Sequence, residues 1–279
     1  MTVMTVTGRT STAHPGGTPA LVVVAHGSRD PRALRTVRAL LDRVRALRPG
    51  LEVRLGHIEL NAPLLPDTLA ALGDGEAVLV PLLLTRGHHV ERDIPEMAAA
   101  SPARTRVAAP LGPHPLLVDA LHARLTEAGW PARAPRDSAV VLASAGSRAP
   151  ASRADTARTA ALLAARLGVP VVPAYASAAA PTVPEAVRSL TARGYRRVAV
   201  ASCFTAPGRF ATECAAAAPW IASAPLGTHP AMARLLLRRY EAAPAPATTA
   251  PAPDSGPCGV GRGGLGLEGR AGGRPVHAR

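Results

Sequence analysis

The chain of 279 residues is long enough for one large domain or two ordinary ones, and its 47% hydrophobic content allows a sizeable core, filled by Leu, Val and Ala because aromatics are only 3%. No apolar run approaches the ~18 residues needed to span a bilayer, and the N-terminal MTVMTVTGRTSTAHPGG lacks the apolar centre of a secretory signal, so a cytoplasmic protein with a flexible leader over residues 1–19 is expected. The formal net charge is +13, carried by Arg with no Lys; this suits an anionic partner, but no helix has a dense Arg stripe and aromatics for base stacking are scarce, so nucleic acid is not expected.

In chain order, the run LVVVA predicts a buried strand over Ala20–Ala25. Asp30-Pro31 then provides an N-cap and a first-turn proline, and Leu34, Val37, Leu41 and Val44 recur at helical spacing. Further strands are expected at Glu52–Leu60, Ala77–Leu84 and Thr105–Ala109, each followed by a helix. The stretch GWPARAPRD (residues 129–137) reads as a linker, and the Ala-, Pro- and Gly-rich segment 244–279 as a disordered tail. GRGGLG in that tail has no strand before it, so it is not taken as a dinucleotide-binding loop. Cys203, Cys214 and Cys258 form no disulfide framework and are expected to be free thiols.

An internal repeat organises the rest. LVVVAHGSRDP (Leu21–Pro31) returns as VVLASAGSRAP (Val140–Pro150), and APLGPHP (Ala109–Pro115) returns as APLGTHP (Ala224–Pro230). Each half alternates four strands with four helices, which implies an α/β fold: two repeated lobes, over 20–128 and 138–243, each a parallel sheet flanked by helices.

Parallel sheets bind ligands beyond the carboxyl ends of their strands. Three polar residues of the first half are expected there: His26 after strand one, Glu59 closing strand two and His89 in the loop after strand three. Two imidazoles and a carboxylate suit a divalent metal such as Fe²⁺ or Co²⁺, and also proton transfer near neutral pH. The second half is a control inside the same chain. It has Ala145, Ser177 and Phe210 at those positions, yet keeps Gly27, Ser28, Arg29 and Pro63 as Gly146, Ser147, Arg148 and Pro181. The fold therefore does not require the three polar residues. His114 and His229 occur in both halves and read as structural, near the start of each last helix. Ser28 lies close to His26, but no Gly-x-Ser-x-Gly elbow supports a serine hydrolase.

AHGSRDP (Ala25–Pro31), Glu59 with Pro63, and GHHVERDIP (Gly87–Pro95) together resemble the class II sirohydrochlorin chelatases in their long, two-repeat form. The family pattern of Gly, any residue, His, three residues and Asp-Ile-Pro falls on His89 and leaves His88 in the variable position. The resemblance implies two lobes facing each other across a cleft that holds the tetrapyrrole. It implies insertion of Fe²⁺ or Co²⁺ without ATP or an organic cofactor, with His26, Glu59 and His89 as catalytic and metal-binding residues. Carboxylates on such a substrate would be anchored by Arg: Arg29, Arg86 and Arg92 are the candidates in the first half, with Arg148 and Arg209 beyond them, and Ser28 could add a hydrogen bond or simply form its turn. Two fused repeats supply both walls of a cleft, so a monomer is expected. The alternative is a divalent-metal carrier that uses the same ligands and binds no tetrapyrrole.

Overall fold

The computed structural model describes residues 18–244. The expected leader up to Gly17 and the expected tail from Ala245, with Cys258 and GRGGLG, lie outside the described residues.

Two four-stranded parallel sheets form, one per repeat. In the first, β1 (Ala20–Ala25), β2 (Val53–His57), β3 (Glu76–Pro81) and β4 (Arg104–Val107) stand in the order β2-β1-β3-β4. In the second, β5 (Ser138–Ser144), β6 (Val171–Tyr175), β7 (Arg197–Ser202) and β8 (Ile221–Ala222) stand in the order β6-β5-β7-β8. All of β1 and all of β5 are buried, as continuous apolar runs in central strands require. The chain leaves β1 for β2 on one side and reaches β3 on the other. The crevice between the carboxyl ends of β1 and β3 is thus a topological switch point, the place where such sheets receive ligands.

Helices α1 (Pro31–Leu47), α2 (Leu65–Ala70), α3 (Ile94–Ala99) and α4 (Pro115–Glu127) flank the first sheet. Helices α5 (Pro150–Leu167), α6 (Val183–Ala192), α7 (Arg209–Ala216) and α8 (Pro230–Glu241) flank the second. Asp30 caps α1 through a 2.9 Å bond from the Arg32 N–H to its carboxylate, and Val37, Leu41 and Val44 are buried with Ala33 and Leu40. His114 and His229 are the N-caps of α4 and α8; each Nδ1 accepts the backbone N–H two residues on, at 3.1 and 3.2 Å. Both histidines therefore have the structural role that their presence in both halves implies.

The two lobes share a core cluster, and each also has one of its own. Leu21, Leu41 and Leu121 of the first belong to the same buried cluster as Leu142, Leu163 and Met232 of the second. Helix α4 packs on α5 and α8, and α8 packs on α1, so the junction repeats the same helix contacts in both directions. The segment 129–137 is packed as well: Trp130 is buried and meets Trp220 at a ring separation of 5.5 Å, while the Asp137 carboxylate takes a 2.6 Å bond from Arg197.

Both halves make the same close approach at the strand ends. Gly27 (φ +106°) and Gly146 (φ +94°) sit so tightly against the carbonyl oxygens of Glu59 and Ser177 that a Cβ at either position would overlap them. This explains why the glycine of AHG and SAG survives in both copies. Beside them, Leu60 (φ +66°) and Ala178 (φ +59°) adopt left-handed backbone that costs a non-glycine residue about 1 kcal/mol or more.

Candidate metal centre

His26 follows β1 directly, and its side chain is half-exposed. Glu59 lies two residues beyond β2, in the turn that its carbonyl shares with Gly27. His89 departs from the expected loop: it opens a π-helical turn (His89–Asp93) that runs directly into α3, a distortion often found where a side chain must be aimed.

The side chains form a linear chain of four groups. Glu59 Oε1 lies 3.4 Å from His26 Nδ1, His26 Nε2 lies 3.1 Å from His89 Nε2, and His89 Nδ1 lies 2.5 Å from Asp93 Oδ2. The two rings meet edge to face at 88°, with centroids 4.7 Å apart. Each imidazole therefore has a carboxylate on its δ nitrogen and turns its ε nitrogen toward the other. His88 also reaches Asp93, at 3.3 Å, and its ring stands 6.4 Å from that of His89.

The three expected ligands, His26, Glu59 and His89, are neighbours but do not surround one point. Glu59 contacts the far nitrogen of His26, and among the described residues no group of three or more His, Cys, Asp or Glu side chains is arranged around one point. The two ε nitrogens are the converging donors, and 3.1 Å is the separation of neighbouring donors on one ion when metal–nitrogen bonds are about 2.1 Å long. Glu59 and Asp93 stand behind them, where carboxylates orient a ligating imidazole and raise its basicity.

Burial lowers the pKa of His26 below its ordinary 6.5, and the adjacent His89 adds to that effect, while the Glu59 carboxylate opposes it. Cys203, at the edge of the cleft, has its thiol pushed up to about 12 by burial, and Cys214 to about 11. Both are free thiols and stay protonated at neutral pH, so neither offers a thiolate to a metal.

The arginines divide. Arg29, Arg92, Arg148 and Arg209 are exposed. Arg86, expected at the substrate, is engaged elsewhere: its guanidinium grips the Asp155 carboxylate of the second lobe, with the closest contact at 2.6 Å. Ser28 is also occupied. Its hydroxyl accepts the Asp30 N–H at 3.1 Å, as Ser147 accepts the Ala149 N–H at 3.2 Å, which makes both turn-forming.

Sequence reasoning missed two residues at the centre, and the repeat contained the signal for both. Asp93 corresponds to Cys214, and Asn61, whose side chain accepts the Ser28 N–H at 2.7 Å and ties the His26 turn to the Glu59 turn, corresponds to Ala179.

The imidazoles face a cleft of about 450 Å³ between the lobes. His26, His88 and His89 line one wall; Ser144, Ser177, Phe204 and Phe210 line the other. The Ser144 hydroxyl, buried beside the Cys203 thiol, has no other partner.

Residues 20–128 and, again, 139–243 match the family model described as CbiX. The chain belongs to the CbiX family. The resemblance drawn from AHGSRDP and GHHVERDIP is thereby borne out. Among curated CbiX-like relatives, the sirohydrochlorin cobaltochelatase of Methanococcus maripaludis is 36% identical over 81 residues, which is 28% of this chain and 56% of the relative. The match thus spans little more than half of that relative's length. The sirohydrochlorin ferrochelatase of Bacillus subtilis is 29% identical over 180 residues, 61% of this chain and 68% of the relative. The solved structure of SirB from Bacillus subtilis with Fe³⁺ superposes with a TM-score of 0.67 at 25% identity, covering 81% of this chain and 95% of that one. Both CbiX matches fall on the lobes defined by the sheets, including the lobe without the histidines. Among the described residues, no helix is long and apolar enough to cross a membrane.

Proposed function

We propose that this protein inserts a divalent metal ion, Fe²⁺ or Co²⁺, into a sirohydrochlorin-type tetrapyrrole bound in the cleft between its lobes. The observation that carries this reading is the facing pair of ε nitrogens, 3.1 Å apart, each imidazole backed by its own carboxylate.

The chemistry follows from proton positions. If each δ nitrogen keeps its proton, His89 hydrogen-bonded to Asp93 and His26 facing Glu59, both ε nitrogens present lone pairs to each other. Two lone pairs at that distance repel unless a cation lies between them. An incoming metal ion is such a cation. Insertion exchanges the metal for the two pyrrole N–H protons of the macrocycle. When the metal leaves the imidazoles, their ε nitrogens are free to receive those protons, and Glu59 and Asp93 stabilise the imidazolium ions so formed. Two imidazole–carboxylate pairs match two released protons.

The opposite wall suits recognition. In a chain with 3% aromatics, both of its phenylalanines, Phe204 and Phe210, line this one cleft, where they offer flat apolar surface to a conjugated ring. Exposed Arg29, Arg92, Arg148 and Arg209 are the candidates to meet peripheral carboxylates. One chain supplies both walls, which supports a monomer. The free thiols Cys203 and Cys214 fit a reducing, cytoplasmic setting.

The test is anaerobic addition of Fe²⁺ or Co²⁺ to sirohydrochlorin with and without the protein, followed by absorbance. Catalysed formation of the metallated product supports the reading. A protein that binds the ions but neither binds nor alters sirohydrochlorin is a metal carrier instead.

A further inference from the structure

We infer that Asp155, from the lobe without the histidines, is a positioning residue for His89, holding from across the lobe junction the loop that delivers this imidazole. The inference rests on the reading of His26 and His89 as the metal-holding pair, and it assigns the second lobe a part in the chemistry of the first.

Asp155 lies on α5 and is 3% exposed, the only buried carboxylate among the described residues. A charge in that position is tolerated only when strongly paired. Its partner is not in its own lobe. The Arg86 backbone N–H donates to Asp155 Oδ2 at 2.8 Å, and the Arg86 guanidinium donates through Nη2 to Oδ1 at 2.6 Å and through Nε to Oδ2 at 3.0 Å. One turn earlier on α5, Ser152 Oγ meets Thr85 Oγ1 at 2.8 Å. The carboxylate thus grips both main chain and side chain of one residue, three positions before His89, in the short run between β3 and the π-helical turn.

The repeat shows that the fold does not need this grip. Counting from the prolines that open α1 and α5, the positions of Ser152 and Asp155 are Ala33 and Thr36 in the first lobe. The loop residues matching Thr85 and Arg86 are Ala206 and Pro207. The lobe junction is built twice from equivalent helices, α4 on α5 and α8 on α1, once with the clamp and once without. The clamp occurs on the loop that carries a histidine and is missing from the loop that carries Phe210. A purely architectural link would be as useful on either side.

The experiment titrates metal-free protein with Co²⁺ in the absence of tetrapyrrole, reading the visible absorption of bound Co²⁺. Insertion kinetics and melting temperature are measured on the same samples. Asp155→Asn turns an amide donor toward the guanidinium; it should weaken Co²⁺ binding about tenfold and lower kcat, with KM for sirohydrochlorin unchanged, the scale of lost support behind a ligating histidine. Arg86→Gln cuts the same link from its exposed side and should show the same pattern. Leu190→Ala, in the second-lobe core and away from the loop, should lower the melting temperature yet leave Co²⁺ affinity unchanged. Wild-type Co²⁺ affinity and kcat in both clamp variants would overturn the inference, as would an equal loss in Leu190→Ala. A wild-type protein that inserts no metal would overturn the functional reading itself, a result distinguishable from failure of the clamp alone.

Discussion

The two lobes have the same strand order, the same glycine just past the first strand and a left-handed residue three positions after the second strand, yet they differ at each polar position of the candidate centre. His26, Glu59, Asn61, His89 and Asp93 stand against Ala145, Ser177, Ala179, Phe210 and Cys214. What both copies keep includes residues that the backbone itself needs: Gly27 and Gly146 where no Cβ fits, and His114 and His229 where a helix needs a cap. A duplicated fold thus separates the demands of backbone geometry from those of a reaction, without reference to any other protein.

The sharpest way to break that contrast is to remove an imidazole. His26→Ala or His89→Ala should lower the insertion rate about a hundredfold or more, as expected for loss of a ligand that also moves protons, while the melting temperature changes little because both groups are at the cleft surface. Phe210→Ala, at the matching position, should act chiefly on KM. A fall in kcat as large as that of His89→Ala, at unchanged stability, would show that the chemistry is not confined to the first lobe.

Next in size is Asp93→Asn. The imidazole would remain but lose the carboxylate that fixes its tautomer, and Co²⁺ affinity should drop by about tenfold. Unchanged affinity would mean that the 2.5 Å contact does not tune His89.

The pH profile should show a smaller but directional effect. A protonated ε nitrogen cannot ligate a metal, so acid suppresses insertion. Burial and His89 hold the His26 pKa below 6.5, which puts the acid limb under that value. Glu59 opposes this shift, so Glu59→Gln should move the limb to still lower pH. Initial rates from about pH 5 to about pH 9, with spontaneous insertion subtracted, would measure it. A limb that moves upward in Glu59→Gln would contradict the geometry.

The paired caps predict a modest effect on stability. Burial and nearby arginines lower the pKa of both His114 and His229 below 6.5. A group depressed in the folded state stabilises fully above its unfolded value and loses that contribution as pH falls through its folded value. Melting temperature should therefore hold above about pH 6.5 and decline below it. A double His114→Asn, His229→Asn variant keeps a capping acceptor and should flatten part of the decline. The smallest change is expected from ending the chain after Ala243: Tyr240, whose hydroxyl donates to the Pro19 carbonyl at 2.6 Å, stays in place, and both melting temperature and turnover should be unaffected.

The lobes, the first helix cap and the pair His26 and His89 were legible in sequence because each rests on a local or periodic signal: apolar runs, Asp-Pro, and a repeat. The site's direction was not. Sequence could place Glu59 near His26 but not on its δ nitrogen, since that depends on how a turn bends two residues past a strand. Nor could charge alone separate Arg86 from Arg92. Their different fates follow from a buried carboxylate more than sixty residues away. The strand ends were overestimated: Leu82, Leu83 and Leu84 continue the apolar run past the end of β3 at Pro81 and line the cleft, with the Leu82 N–H still bonded to the Val24 carbonyl at 2.8 Å.

The continuous core beneath the cleft sets how it can move. Side chains from both lobes interdigitate in one cluster, so the walls cannot swing apart as hinged domains do without tearing close-packed contacts. Traffic through the site must then depend on its open mouth and on the turns at the strand ends, and selectivity on a shape present before the ligand arrives, so turnover should be insensitive to the viscosity-dependent closing motions that govern many two-lobed enzymes.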